Sequence, residues 1–346
     1  MRKFLTCAIF AVLAVSIPSA VGLFLSLSVP PSYDEEIYEV VTLPSGATLT
    51  SVIRLLKDNG IIREPIVFGL LARWRGLETA IKSGEYQLST RMFPNQVLNK
   101  LIRGEQIKYS ITIPEGLDIA QTAALFERIG LADAAKFYQT ATDPSFIAAL
   151  DMQGDTLEGY LFPDTYKFIR GIGEKNIIRR MVRRFNAVYD EQLRKREKEL
   201  NLTRNEVITM ASMIEKETAA AYERPLISAV FHNRLKTNMR LQCDPTVIYG
   251  LETFSGRLTK KDLRTYTPYN TYLITGLPPT PIANPGLASI QAVLYPDPVD
   301  YLYFVSKNNG THYFSTTLAE HNEAVASYRR IFNAEGSPGP ESSDQP

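Results

Sequence analysis

The sequence predicts an α+β protein with an N-terminal membrane anchor, a small first domain and a larger second domain. Three observations support this prediction. A long apolar run lies near the N-terminus, the segments 41–61 and 111–131 repeat one another, and helical and strand-like patterns follow each other along the chain. We divide the chain into an anchor (1–31), a first domain (32–110), a second domain (111–333) and a disordered tail (334–346).

The composition is that of an ordinary globular protein. The chain has 346 residues, with 38 Lys and Arg against 37 Asp and Glu, a net charge of +1, and a hydrophobic fraction of 45%. This balance argues against a nucleic-acid partner, and the basic stretch 179–185 is typical of a solvated helix face. Cys7 lies in the apolar run and Cys243 in the second domain, so we expect no intramolecular disulfide.

The apolar run from Phe4 to Pro31 carries no charge and is long enough to cross a hydrocarbon layer about 30 Å thick. Arg2 and Lys3 precede it, and the acidic segment 34–36 follows it, which orients the N-terminus inside and the body outside. A cleaved signal peptide, processed near Ala20, is the alternative, but the run continues well beyond that residue. We therefore expect a single-pass protein of the cytoplasmic (inner) membrane with its body on the outer, periplasmic side.

In the first domain, each copy of the repeat contains a strand, a Pro-x-Gly turn, a helix and a glycine stop. Between the copies, the pattern predicts a helix over 64–74, a strand over 84–89 and a helix over 94–102. A strand, two helices and a strand is also the order found in LysM-like glycan-binding modules. The alternative is a spacer that holds the second domain away from the membrane.

The second domain begins with helical patterns and an extended aromatic segment, 157–168. Tyr160, Phe162 and Tyr166 are either core residues or platforms for sugar rings. Helices over about 174–200 and from Pro225, a hairpin around Asn309-Gly310 and a last helix over about 318–332 complete the domain.

One helix places two carboxylates beside an apolar stripe. Thr203 and Glu206 have capping-box spacing, and five residues then recur on one face: Val207, Met210, Ala211, Ile214 and Thr218. At about 100° per residue, Glu217 lies about 70° and Glu215 about 90° from the centre of this face. A carboxyl at such an edge has a raised pKa and can act as a general acid. Alternatively, the two groups pair with Lys216, Arg224 or Arg234.

The motifs around this helix resemble those of the endolytic murein transglycosylases of the YceG-like family. They are IEKETA, ERP, FHNRL and MRLQCDPTVIYG, followed by YNTYLITGLPPTPIANPG and YLYFV, with LEGYLFPDTY upstream. The resemblance spans roughly residues 41–332 and keeps the motifs in order. It implies a lysozyme-like α+β second domain that cleaves the bond between N-acetylmuramic acid and N-acetylglucosamine inside glycan strands, without water, leaving 1,6-anhydro ends.

The resemblance also implies roles for particular residues. Glu217-Thr218 is similar to the Glu-Ser pair of other lytic transglycosylases, so we expect Glu217 to be the catalytic acid and base, with Glu215 supporting it or acting in its place. Amide, phenol, carboxyl and hydroxyl groups on the following loops are candidates for binding the glycan, although such residues are also common in turns. These candidates are Gln242, Asp244, Thr246, Asn270, Tyr272 and Asn284.

Other chemistries find little support in the sequence. The three histidines lack metal-ligand spacing, and no phosphate-binding or nucleophile-elbow motif occurs, so we expect neither a metal nor a cofactor. Two alternatives stay open: a non-catalytic glycan-binding scaffold, and a hydrolytic muramidase using a second carboxylate such as Asp244. The resemblance also implies that the protein terminates or trims nascent strands, with glycan-polymerising synthases as possible partners.

Overall fold

The computed structural model describes residues 36–218 and 220–334, with side chains as far as residue 330. The described residues form a mixture of helices and small sheets, which confirms the α+β class. The predicted anchor and tail lie outside the described residues, and within residues 36–334 no helix is both long and apolar enough to cross a bilayer. The chain divides into an N-terminal unit (up to Ser110, with Lys167–Ile172) and a C-terminal unit (Ile111–Tyr166, and from Gly173 onward).

The N-terminal unit packs three helices against a two-stranded antiparallel sheet. Its elements are β1 (Tyr38–Leu43), α1 (Leu49–Asp58), α2 (Pro65–Trp74), β2 (Gly84–Ser89) and α3 (Pro94–Arg103). Tyr38 pairs with Ser89, and Leu43 pairs with Gly84. Val41 and Leu43 alternate inward from β1 as the period of a strand requires, and they meet Phe68 of α2 in the core. The order of elements is as expected, while the LysM-like character stays a prediction.

The C-terminal unit is mainly helical. Its helices are α4 (Ile119–Arg128), α5 (Ala134–Ala141), α6 (Pro144–Ala148), α7 (Glu174–Val188), α8 (Glu191–Glu199), α9 (Arg204–Glu217), α10 (Arg224–Lys236), α11 (Asp244–Gly250), α12 (Lys260–Arg264), α13 (Leu287–Leu294) and α14 (Leu318–Ala334). A hairpin of β5 (Tyr303–Ser306) and β6 (His312–Ser315) lies before α14. The hairpin loop is longer than a two-residue Asn-Gly turn, because pairing ends at Ser306 and His312.

A third two-stranded sheet joins β3 (Tyr109–Thr112) to β4 (Thr165–Phe168). The second copy of the repeat forms β3 and α4, as the sequence predicts. The extended segment 157–168 is a strand only from Thr165 onward. Tyr160, Phe162 and Tyr166 are all buried, so the core interpretation holds and the sugar-platform alternative is wrong for them.

The helix α9, which we call the Glu helix, differs from the one-faced helix that the sequence predicts. All eight residues from Val207 to Ile214 are buried. The helix contacts α10, α11 and α13, so it is surrounded rather than laid on a surface. Thr218 is not on its face, because the helix ends at Glu217 and Thr218 has extended backbone angles (φ −138°, ψ 137°).

Candidate active site

The Glu helix begins and ends at residues that the sequence marks. The Thr203 hydroxyl accepts a hydrogen bond from the Glu206 N–H, and the Glu206 side chain accepts one from the Thr203 N–H, which forms the predicted capping box. Fourteen residues later the helix ends at Glu217. The last helical residue has no following turn to cover it, so Glu217 is half-buried, whereas residues 207–214 are buried.

Burial and three neighbouring side chains set the pKa of Glu217. Burial raises the pKa of Glu217 to about 7, and the Asp244 carboxylate adds to this effect. The Cys243 thiol, which donates a hydrogen bond to the Glu217 carboxyl group, and the Arg234 guanidinium lower the pKa. The result is a carboxyl group that both holds and releases a proton near neutral pH, as one group acting first as acid and then as base must.

Arg234 is fixed in place by backbone oxygens. Its Nε donates to the Leu302 carbonyl at 2.7 Å and its Nη1 to the Leu241 carbonyl at 2.6 Å. Its guanidinium also lies 5.5 Å from the centre of the Tyr303 ring. Its charge therefore acts on Glu217 from a fixed position and without a direct ion pair, so it lowers the pKa without holding the carboxyl permanently ionised.

Glu215, two residues earlier, is occupied in a different way. Its Oε2 accepts hydrogen bonds from the Gly286 N–H at 2.9 Å and the Ser289 hydroxyl at 2.8 Å. Its Oε1 lies 3.4 Å from Nη2 of Arg224, and only 6% of its side chain is exposed. Glu215 thus caps the first turn of α13 as a carboxylate acceptor. It joins three segments of the chain, and it has no free oxygen to present to a substrate.

A third carboxylate, which the sequence did not single out, lies beside this cap. The Glu115 carboxyl group lies against the backbone at Gly286, where a Cβ would displace it. Burial raises the pKa of Glu115, the nearby Glu215 raises it further, and Arg224 lowers it. Its position in the Pro-x-Gly turn of the repeat looked like that of an ordinary turn residue.

Thr218, the residue after Glu217, bonds to Glu223, which is itself paired with His312 of the hairpin. The Thr218 hydroxyl donates to Glu223 at 3.3 Å, and Glu223 also accepts from the His312 N–H at 2.8 Å. His312 Nδ1 lies 2.7 Å from the same carboxylate. Burial alone would raise the pKa of Glu223, but the hydrogen bonds from His312 outweigh it and lower the pKa. The hairpin thereby fixes where the chain goes after the candidate acid.

Three of the six predicted glycan-binding residues lie near Glu217. Asp244 raises the pKa of Glu217, Glu217 in turn raises the pKa of Tyr272, and the Tyr272 hydroxyl donates to Asp244 Oδ1 at 2.7 Å. Gln242 is exposed and stands one residue before Cys243, with a positive φ of 49°. A non-glycine residue in this conformation is uncommon and is held by its surroundings, here by the bond from its N–H to the Thr271 carbonyl. The sequence predicts a loop at Asp244 and Thr246, but both residues belong to the helix α11.

The other three candidates are buried, and their polar groups bind the protein itself. The Thr246 hydroxyl donates to the Cys243 carbonyl at 2.7 Å. The Asn270 amide donates to the Thr265 carbonyl at 2.8 Å and accepts from the Tyr272 N–H at 3.0 Å. The Asn284 side chain accepts from the Leu161 N–H and donates to the Leu117 carbonyl. In this structure these residues shape the loops, and their contact with a glycan stays a prediction.

Glu158 is a further buried carboxyl that sequence reasoning missed. It follows Leu157 in the aromatic segment and is 3% exposed. Its Oε2 accepts from the Ile119 N–H at 3.2 Å and from the Tyr249 hydroxyl at 3.1 Å, and burial raises its pKa to about 8. Tyr249 is on α11, the helix that begins at Asp244, so a neutral carboxyl supports the far end of this helix.

A separate cavity lies at the start of the Glu helix. A cavity of about 700 Å³ lies around 151–156, 202–205 and 279–281, at the start of the Glu helix, and it includes neither Glu215 nor Glu217. Glu217 lies at the opposite end of the helix from this cavity. Among the described residues, no group of three or more His, Cys, Asp or Glu side chains is arranged to hold a metal ion.

The fold and the site define a mixed α+β protein with a carboxyl group of raised pKa at the end of a buried helix. The chain belongs to the YceG-like family, whose model matches residues 41–327. This confirms the family indicated by the sequence motifs.

The relatives it matches carry a functional name. The endolytic murein transglycosylase of Bacillus subtilis (strain 168) is 36% identical over 324 residues, which cover 88% of each protein. The endolytic murein transglycosylase of Streptococcus pneumoniae serotype 2 is 28% identical over 326 residues, covering 84% of this chain but 58% of that protein. A crystal structure of a YceG-like protein from Listeria monocytogenes is similar with a TM-score of 0.58 and 34% identity, covering 84% of this chain and all of the other.

Proposed function

We propose that this protein is an endolytic murein transglycosylase, which cleaves the bond between N-acetylmuramic acid and N-acetylglucosamine within peptidoglycan strands. One observation carries the proposal: Glu217 stands at the end of a buried helix, where burial raises its pKa to about 7. Its two relatives named endolytic murein transglycosylase support the same conclusion.

The proposed mechanism uses Glu217 twice. As the neutral acid it protonates the oxygen of the leaving sugar while the anomeric carbon develops positive charge. As the resulting carboxylate it accepts the proton of the muramoyl 6-hydroxyl group, whose oxygen forms the new bond to the anomeric carbon. The nucleophile is part of the substrate and therefore has a high effective molarity. The reaction needs no water and leaves a 1,6-anhydro end.

Two other activities compete with this proposal. A hydrolytic muramidase needs a second carboxylate to activate water or to form an intermediate, and Asp244 is the candidate because it acts on the charge of Glu217. Against this role, Oδ1 of Asp244 is already occupied by the hydrogen bond from the Tyr272 hydroxyl. A scaffold that binds glycan without cleaving it is the third activity.

Product analysis separates the three. The full-length protein in detergent is incubated with purified sacculi, beside a matched Glu217→Gln preparation, and the soluble products are examined by mass spectrometry. Anhydro ends on strands of mixed length support an endolytic transglycosylase. Reducing ends on the products indicate hydrolysis, and the absence of products from the unmodified protein overturns the enzymatic proposal.

The proposed location is the cytoplasmic membrane, with the N-terminus inside and both units outside, on the periplasmic side. It is supported by the uncharged run from Phe4 to Pro31 and its flanking charges. N-terminal sequencing of the membrane-extracted protein tests it, since a mature chain that begins near Val21 contradicts a retained anchor.

At this location the enzyme acts on strands while they are being made, and so terminates or trims nascent glycan beside the polymerising synthases. The N-terminal unit, as a LysM-like module, contributes binding to the glycan. In vivo crosslinking from an exposed residue of the full-length protein tests the partnership, which fails if no synthase is captured under conditions where the protein is active.

A further inference from the structure

The helix α2 exposes three large apolar side chains in one line. Ile66 is 78% exposed, Leu70 49% and Trp74 86%. They are spaced by four residues, so at about 100° per residue they occupy one stripe about 80° wide. We call this set the α2 stripe. The opposite face of α2 is buried in the core of the N-terminal unit through Phe68, Leu71 and Ala72.

Single exposed apolar residues are normal, but an aligned set that ends in the chain's only tryptophan is not. Trp74 is held at the surface by a helix whose other face is fixed in the core, so it cannot turn inward. Arg73 and Arg75, both exposed, flank it. Tryptophan beside arginine on an otherwise apolar stripe is the composition of a surface that lies in the headgroup region of a bilayer.

The chain itself points to this occupant. Only residues 32–37 separate the apolar run from β1, a span of at most about 20 Å when fully extended. The N-terminal unit has a radius of gyration of about 11 Å by its length, so a short tether keeps its surface close to the membrane at high effective concentration. Weak interfacial contacts are then sufficient, because the anchor has already brought the unit to the lipid.

A glycan is the competing occupant and fits less well. Sugar rings stack on the flat faces of aromatic side chains, and of the α2 stripe only Trp74 has one. Ile66 and Leu70 offer branched aliphatic groups, which gain from acyl chains and not from hydroxyl-bearing sugar rings.

We propose that the α2 stripe rests in the outer surface of the membrane that carries the anchor, and holds the N-terminal unit against the lipid. The occupant is a bilayer containing anionic phospholipid, which attracts Arg63, Arg73 and Arg75 while Ile66, Leu70 and Trp74 enter the headgroup region. This inference rests on the proposed anchor. It adds a second point of contact, which restricts how far the N-terminal unit moves from the membrane.

The single tryptophan provides a direct test. The full-length protein is reconstituted into vesicles of phosphatidylcholine and phosphatidylglycerol, with or without a phospholipid carrying a nitroxide near its headgroup. We expect Trp74 emission at shorter wavelength than in the unfolded protein and about a twofold loss of intensity in the nitroxide vesicles. Ile66→Ser with Leu70→Ser should reverse much of this loss, and both sites are exposed enough to tolerate the changes.

A control moves the reporter to the other unit. Trp74→Phe with Tyr138→Trp places the tryptophan on α5, where Tyr138 is 50% exposed. This protein should be quenched by aqueous iodide, and its loss in nitroxide vesicles gives the level expected of an exposed tryptophan outside the α2 stripe. If the protein floats with the vesicles but nitroxide lipid does not quench Trp74, the membrane anchor is supported and the contact of the α2 stripe with the bilayer is wrong. Failure to float overturns both, and a Trp74 shift on adding glycan strands without lipid quenching assigns the stripe to glycan.

Discussion

The Cys243 thiol donates a hydrogen bond to the carboxyl group of Glu217, so the residue just before α11 meets the last residue of the Glu helix. This hydrogen bond lowers the pKa of Glu217, against the burial that raises it. The thiol is itself buried, and burial raises the pKa of Cys243 well above its ordinary value, so it stays a donor near neutral pH. Cys243 therefore adjusts the acid without taking part in the reaction.

Cys243→Ala should raise the pKa of Glu217, because it removes a donor to the carboxylate. A hydrogen bond worth about 1 kcal/mol corresponds to roughly 0.7 pKa unit. The decline of kcat/KM at high pH, which marks deprotonation of the general acid, should move upward by about this amount. Cys243→Ser keeps a donor and is the matched control. An unchanged pH profile for Cys243→Ala, with the fold intact, would show that the thiol has no effect on the acid.

Glu217→Gln and Glu215→Gln should fail in different ways. Glu217→Gln removes the transferable proton while keeping the shape, so the yield of anhydro products should fall by about 10²–10⁴-fold with little change in melting temperature. Glu215→Gln leaves Arg224 without its carboxylate and weakens the cap on α13, which should cost about 2–3 kcal/mol of stability and reduce activity only partly.

Product analysis and thermal unfolding of the two variants are run side by side. Product yield and melting temperature are independent, so together they show which glutamate is the catalytic acid and which one stabilises the fold. Full activity in Glu217→Gln, or loss of chemistry without loss of stability in Glu215→Gln, would reverse the roles.

Much of this site could be predicted from the sequence because its signals are local. The capping box fixes where the Glu helix begins, and Glu217 then falls at its end. The distinction between Glu215 and Glu217 could not be made reliably, since the angular difference was small. It depends on Gly286 and Ser289, which are distant in sequence and contact Glu215 only in the folded chain.

The sequence does not reveal the other buried carboxyl groups, for the same reason. Glu158, Glu223 and Glu115 stand in ordinary surroundings along the chain, and only tertiary packing makes them buried or paired. The amide groups of Asn270 and Asn284 made them candidates for binding the glycan, yet these amides bond to backbone groups that the sequence does not place nearby. Local patterns predict elements and their ends, while partners across the fold require the structure.

The pair of Glu223 and His312 should stabilise the turn after Glu217. His312→Ala removes the imidazole partner of a buried carboxylate but keeps the backbone N–H of residue 312, so we expect a loss of about 2–4 kcal/mol in the free energy of unfolding. Because the pKa of Glu223 is lowered on folding, the pair's contribution is present above the unfolded value near 4.5 and disappears as the pH falls below it.

Thermal unfolding between pH 3 and 7 checks this, with His321→Ala as the matched control, since the His321 ring stacks on Tyr303 and pairs with no carboxylate among the described residues. The stability difference between His312→Ala and the unmodified protein should shrink toward low pH. A constant difference over this range would argue that His312 contributes only packing.

Glu158 should make the C-terminal unit less stable in alkaline solution. Folding raises its pKa to about 8, so between about pH 4.5 and 8 the folded state binds a proton that the unfolded state has lost. The contribution of this proton is complete at low pH and is lost as the pH rises through about 8.

Glu158→Gln is neutral at every pH and can still accept from the Ile119 N–H and the Tyr249 hydroxyl. Its unfolding temperature should therefore fall less between pH 6 and 9 than that of the unmodified protein. Glu252→Gln, at an exposed carboxyl group of the same unit, is the control and should follow the unmodified protein. If Glu158→Gln and the unmodified protein lose stability in parallel, Glu158 is already ionised in the folded state.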